Sequence, residues 1–403
     1  MFFDNYSKKE IYLNFSSLFI ALSILSMVLT TPSEFKALLF AISFMSLIFL
    51  KGNIYFLKEI LFRYHIFLLF GFLCLLSYFF FSEEVPWKEN PKIENILIFI
   101  AFFIFLNQIQ HHYRLIMKYC FYTVSLFLSF SIPLHLFFLE SSMLTATAFM
   151  YNFEVESYAN KNTLGVYLAL LFPFLIFQSS KKFTLINLYC VFIFCLSIIF
   201  IFSRTALILA LLSLLLCFFS YEKRLSMAAL FILTGVTFFM WIFEFTPQKY
   251  NEMKMNTNVE YFNNYSFDPE KYQFIPLEGA RINYLKRSYE GFVQKPFFGN
   301  GFASFRNNNP IYDREGRLIR RPVTHNDFTQ IAYELGLLGI ITLFGMIFIN
   351  LKSLIPSVNE VESKLMIFQI IILMAAMNAI NLLDHILFWF IMAMTYKTYK
   401  KQP

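Results

Sequence analysis

The sequence predicts an all-α integral membrane protein of about twelve transmembrane helices with one large helical loop, and three observations predict it. Of 403 residues, 58% are hydrophobic and only 15% are charged, whereas a soluble domain carries roughly 45–50% apolar and about 25% charged residues. Apolar runs recur along most of the chain, many close to the roughly 20 residues a helix needs to cross about 30 Å of hydrocarbon. The basic residues also alternate in density between successive connections, as orientation in a bilayer requires. The same balance excludes a disordered chain, a collagen-like chain, a disulfide scaffold and a soluble α/β enzyme of this length.

The twelve runs fall near residues 11–30, 36–50, 66–82, 93–107, 116–139, 163–178, 183–202, 205–219, 225–245, 328–350, 364–382 and 384–397. Backbone polar groups inside lipid must be paired internally, so these runs are read as helices. With the N-terminus in the cytoplasm, the inner segments collect 16 of the 33 basic residues, among them Arg63, Arg114, Lys118, Lys352 and Lys364, while the short outer loops hold five. The other 12 lie in residues 246–324, and a long loop is exempt from the bias. The chain therefore divides into helices one to nine (1–245), an outer loop domain (246–324) and helices ten to twelve (325–403), with both termini cytoplasmic. The first apolar run is too long for a cleavable signal, and no small-residue cleavage site follows it.

The five cysteines lie in or beside spans without a CxxC pair, so they read as packing residues and not as a disulfide framework or zinc site. The net charge of +7 follows mostly from orientation and gives no reason to expect nucleic acid.

Three features interrupt the apolar pattern. Within the outer loop, residues 279–295 read as an amphipathic helix with Ile282, Leu285, Tyr289 and Phe292 on its apolar face. Pro296 ends it and Gly299-Asn300-Gly301 makes a turn. Ser203-Arg204 sits in a tight turn between two spans, where the arginine is either an interfacial snorkelling residue or the mark of a site. Thr324-His325-Asn326 stands where the loop re-enters the tenth span, followed by Gly336 and Gly339. His325 is either a satisfied structural residue or a chemical one, and the glycines permit close helix packing.

Together, FSRTALILA at 202–210, GARINYLKRSYEGFVQKPFFGNGFASF at 279–305 and HNDFTQIAYELGLLG at 325–339 resemble the bacterial O-antigen ligase family, within a superfamily that also holds O-antigen polymerases. His-Asn, nine residues, then Gly-x-x-Gly is the family's pattern. Ile340 and Ile341 depart from it, because the ligases often carry small polar residues there. The resemblance is specific over about 50 residues. It implies a GT-C-like bundle in the bacterial inner membrane, with a periplasmic loop and active site. It also implies transfer of a finished polysaccharide from an undecaprenyl-pyrophosphate-linked glycan donor to a lipid A–core acceptor, among membrane lipids.

On that reading, Arg204 and Arg281 hold the diphosphate, since a guanidinium stays protonated and makes bidentate, charge-assisted hydrogen bonds. Arg287, Arg320 and Arg321 assist or are simply solvated. His325 accepts the proton of the attacking hydroxyl, and attack opposite the leaving diphosphate inverts the anomeric centre. No metal or other cofactor is expected: there is no Asp-x-Asp pair, Walker A sequence or Gly-x-Gly-x-x-Gly. The first outer loop offers only Glu34, and Glu83-Glu84 reads equally well as solvated. Asp384-His385 reads as a turn pair, and His111-His112 lies on the cytoplasmic side. The competing readings are a repeat polymerase using the same donor, a protein-directed oligosaccharyltransferase, and a lipid-linked sugar flippase. Against the flippase stand the absence of an internal repeat and the scarcity of charge inside the spans.

Overall fold

The computed structural model describes residues 8–28, 62–81, 91–107, 110–138, 161–181, 184–200, 204–220, short pieces between 226 and 235, 277–309, 311–312, 318–320, 324–383 and 385–396. Ten of the twelve expected spans coincide with helices. These are α1 (Lys8–Val28), α2 (His65–Phe81), α3 (Pro91–Asn107), α4 (Tyr113–Phe138), α5 (Lys161–Lys181), α6 (Leu185–Phe200) and α7 (Arg204–Ser220). From the segment expected to be the outer loop come α8 (Leu277–Gln294) and α9 (Ser304–Asn308), and the chain closes with α10 (Asp327–Leu354), α11 (Val361–Met377) and α12 (Ile386–Thr395). The expected span at 36–50 lies outside the described residues, as do Glu34, Glu83 and Glu84, and 225–245 is described only in fragments.

One element was not anticipated. β1 (Ile311–Tyr312) pairs antiparallel with β2 (Leu318–Arg320), Ile311 opposite Arg320. Two β-prone stretches flank a polar, glycine-containing connection, which is a hairpin signal.

Burial separates a core from a rim. All ten residues of α12 are buried, and the stretch Leu164–Phe177 of α5 is likewise enclosed. Helices apolar on every side belong in the middle of a bundle. At the rim, large apolar side chains face outward at helical spacing: Leu337, Ile341, Phe344 and Phe348 on α10, with Leu69, Phe72, Phe79 and Phe80 on α2. Continuous apolar surface of this extent needs lipid and not water against it. Among the described residues, Asn162–Ser179 and Asp327–Ser357 are each long and apolar enough to cross a membrane, and six further apolar helices are shorter. The chain is a membrane protein built on an α-helical bundle.

One end of the bundle is closed by polar side chains that satisfy helix termini. Asn107 donates to the carbonyls of Ala393 (2.8 Å) and Tyr396 (2.6 Å) and accepts from the Tyr64 hydroxyl (3.0 Å). The Tyr396 hydroxyl donates to the carbonyl of Arg63, and Arg114 pairs with Glu362. These contacts gather the ends of α3 and α12 and the starts of α2, α4 and α11. Arg63 and Arg114, both assigned to the inner side by the charge bias, thus lie at the same end. The five cysteines are free and buried, as packing residues should be.

Candidate functional site

At the other end of α10 the chain is held in a tight, hydrogen-bonded turn. Asn326 is the N-cap: its side-chain oxygen accepts from the amide of Thr329 (3.1 Å), and its side-chain nitrogen reaches the carbonyl of Asn378 (3.3 Å). That second bond ties the start of α10 to the end of α11. The Thr324 hydroxyl donates to the carbonyl of Asn326 (2.7 Å) and accepts from the amide of the same residue (3.2 Å). His325 lies inside this loop with φ 56, a left-handed conformation in which few residues other than glycine are found. Such strain clusters at functional sites.

The carboxylate of Asp327, only 2% exposed, accepts from the amides of Leu382 (2.7 Å) and Leu383 (3.3 Å). It thereby fixes the connection from α11 to α12 against the first turn of α10. His385 caps α12, its Nδ1 accepting from the amide of Leu387 (3.2 Å), which agrees with its reading as a turn residue. One and two turns into α10, Gln330 and Glu334 are buried on the same face as Asp327. With Asn381, Ile96, Phe302, Ile331 and Leu383 they line a small cavity.

Gly336 does more than permit packing: it breaks the helix, with φ 62 and ψ −152. The turn that follows α8 is laid into the break. The amides of Asn300 and Gly301 donate to the freed carbonyls of Tyr333 (2.9 Å) and Glu334 (3.0 Å), and the amide of Leu337 donates to the carbonyl of Pro296 (2.7 Å). The expected Gly299-Asn300-Gly301 turn is present with positive φ at both glycines, and its purpose is this graft of loop onto helix. An apolar cleft of about 380 Å³ opens beside the break, lined by Leu73, Leu76, Ser77, Phe80, Phe298, Leu335 and Leu338.

The face on which α8 packs differs from expectation. Leu285 and Tyr289 point outward, 39% and 68% exposed, whereas Tyr284, Ser288 and Gly291 face inward. A Cβ on Gly291 would stand 2.1 Å from the ring of Tyr333, so only glycine admits this approach. Tyr284, Phe305 and Tyr333 form a small aromatic cluster, with Phe305 edge-on to Tyr333 at 5.2 Å.

These contacts set the register of α8 on α10. Gly291 lies on Tyr333, and Pro296, just past the end of α8, meets Leu337. Arg281 precedes Gly291 by ten residues on α8, and His325 precedes Tyr333 by eight, ahead of the N-cap of α10. Arg204 opens α7, which packs against α5 and α11. The side chains of Arg204, Arg281 and Arg320 lie outside the described residues, as does Arg321 altogether. Arg287 donates to the side-chain oxygen of Asn309 (3.2 Å) and so ties α8 to the end of α9.

Four residues that sequence reasoning passed over belong to this region. Asp327, Gln330 and Glu334 recur at one face of an apolar span, a spacing that itself marks a site. Arg306 on α9 keeps its Nε buried with no hydrogen-bond partner among the described residues.

No curated protein matches the chain. Residues 189–344, less than half of it, match the model of a family described as O-antigen ligase. The matched stretch runs from α6 through α7, the loop helix α8 and the capped start of α10 to beyond its break, so the similarity to the O-antigen ligase family covers the elements around that turn.

Proposed function

We propose that the protein is an O-antigen ligase of the bacterial inner membrane. It moves a polysaccharide from undecaprenyl pyrophosphate to a sugar hydroxyl of lipid A–core at the periplasmic face. Both termini are cytoplasmic, and twelve helices span the bilayer. The observation that supports the reading is the strained turn that holds His325 at the start of α10, the helix to which the graft at Gly336 fixes the turn that follows α8. The gathering of Arg63 and Arg114 at one bundle end supports the topology.

Arg204 and Arg281 grip the donor diphosphate and stabilise the charge that grows on it as the glycosyl bond breaks. Arg306, Arg287, Arg320 and Arg321 supplement that field. His325 takes the proton of the acceptor hydroxyl, and the alcohol attacks the face opposite the leaving group. The apolar cleft beside the break suits the isoprenoid chain. The activated donor supplies the driving force, and no metal or other cofactor takes part.

The test is transfer in vitro by the purified protein, from undecaprenyl-pyrophosphate glycan to lipid A–core or to a second lipid-linked glycan, with and without chelator. Ligase activity gives polymer on lipid A–core and is indifferent to chelator. Extension of the lipid-linked glycan instead would make the protein a repeat polymerase, loss of transfer with chelator would overturn the metal-free mechanism, and transfer to neither acceptor would favour a flippase.

A further inference from the structure

We propose that Gln330 and Glu334 are positioning residues for His325, a role that rests on the reading of His325 as the base. The side-chain nitrogen of Gln330 donates to Oε1 of Glu334 (3.0 Å). Its oxygen accepts from the side-chain nitrogen of Asn381 and, at 3.4 Å, takes the weaker share of the single Thr324 hydroxyl proton that the carbonyl of Asn326 also accepts. The same Thr324 hydroxyl closes the loop that holds His325 at positive φ. A continuous path therefore runs from Glu334, two turns inside the bundle, through one amide to the residue that precedes the histidine.

The chemistry of the path explains why these residue types stand there. Gln330 and Glu334 are 4% and 1% exposed, and burying polar groups among apolar helices is unfavourable unless they are bonded to one another. Leucine would fill the same space more cheaply, so packing alone does not account for them. An amide serves two directions at once, offering a donor toward the carboxyl group and an acceptor toward the hydroxyl. Asn381 adds a bond from the α11–α12 connection, which Asp327 also anchors. The turn is thus braced from two elements, as a strained catalytic conformation needs to be.

The test compares glycan transfer by purified Gln330→Met, Glu334→Met and Glu334→Gln, measuring kcat and donor KM separately. Gln330→Met and Glu334→Met should lower kcat by about 10–100-fold with donor KM little changed, because a displaced base costs chemistry and not binding. Glu334→Gln keeps an oxygen for the Gln330 amide and should restore most of kcat. If a methionine variant does not fold, Thr324→Val cuts the same path at its other end and should give the same loss. A parental kcat in Gln330→Met or Thr324→Val, or a Glu334→Gln as impaired as Glu334→Met, would overturn the proposal. His325→Ala is measured alongside. If it transfers at the parental rate, the base assignment itself falls. If it is inactive while Gln330→Met is unimpaired, only the positioning role is lost.

Discussion

A Cβ placed on Gly336 would stand 2.7 Å from the amide nitrogen of Gly299, and one placed on Gly299 would stand 2.4 Å from the carbonyl carbon of Glu334. The two glycines therefore meet backbone to backbone, and their contact joins the turn after α8 to the helix that begins beside His325. Neither position tolerates a side chain, since what a Cβ would strike is main chain and cannot rotate away.

Gly336→Ala and Gly299→Ala should each destabilise the protein by about 2–5 kcal/mol, combining strain at positive φ with overlap against backbone. Thermal unfolding in detergent measures this, and proteolysis of residues 277–309 should accelerate in the same variants. Gly345→Ala is the control: its Cβ meets only the end of Ile66, at 3.3 Å. Relief of glycine's helix penalty, about 1 kcal/mol, should leave that variant neutral or slightly stabilised.

Asp327→Ala should cost about 2–4 kcal/mol, because it strands two buried amides that now share one carboxylate. Asp327→Asn keeps one acceptor oxygen for Leu382 and should lose roughly half as much. Unfolding midpoints of the two variants test the ordering; equal losses would mean that the charge, not the hydrogen bonds, matters there.

Arg281→Ala and Arg204→Ala should each reduce donor use by about 100-fold or more, as expected for a cation removed from a developing negative charge. The lysine variants should retain part of the activity, having the charge without the bidentate fork. Arg306→Ala should weaken donor use less than either. Titration of kcat/KM with the lipid-linked glycan measures all of them.

How much of this was legible beforehand depends on which solvent each side chain meets. Apolar runs located ten helices to within a few residues, because hydrocarbon admits few other backbone conformations. The packing face of α8 was less legible. Leu285 and Tyr289 look like an inward face by periodicity, yet Ser288 is buried and Gly291 packs against Tyr333. Close approach of a helix to a large ring selects the smallest residue, not the most apolar one. Asp327, Gln330 and Glu334 are hard to read for another reason: within HNDFTQIAYELGLLG the histidine and glycines form the visible pattern, while the polar face between them carries the bracing bonds. The hairpin at Ile311–Arg320 was overlooked because its strands are only two and three residues long.

The most direct measurement is the rate at which purified His325→Ala transfers glycan from undecaprenyl pyrophosphate to lipid A–core, with donor affinity measured on the same preparation. Loss of a general base lowers the rate by about 10²–10⁴-fold, and donor affinity should stay at the parental level because the arginines are intact. A parental rate in that variant would contradict the assignment of the base at the start of α10.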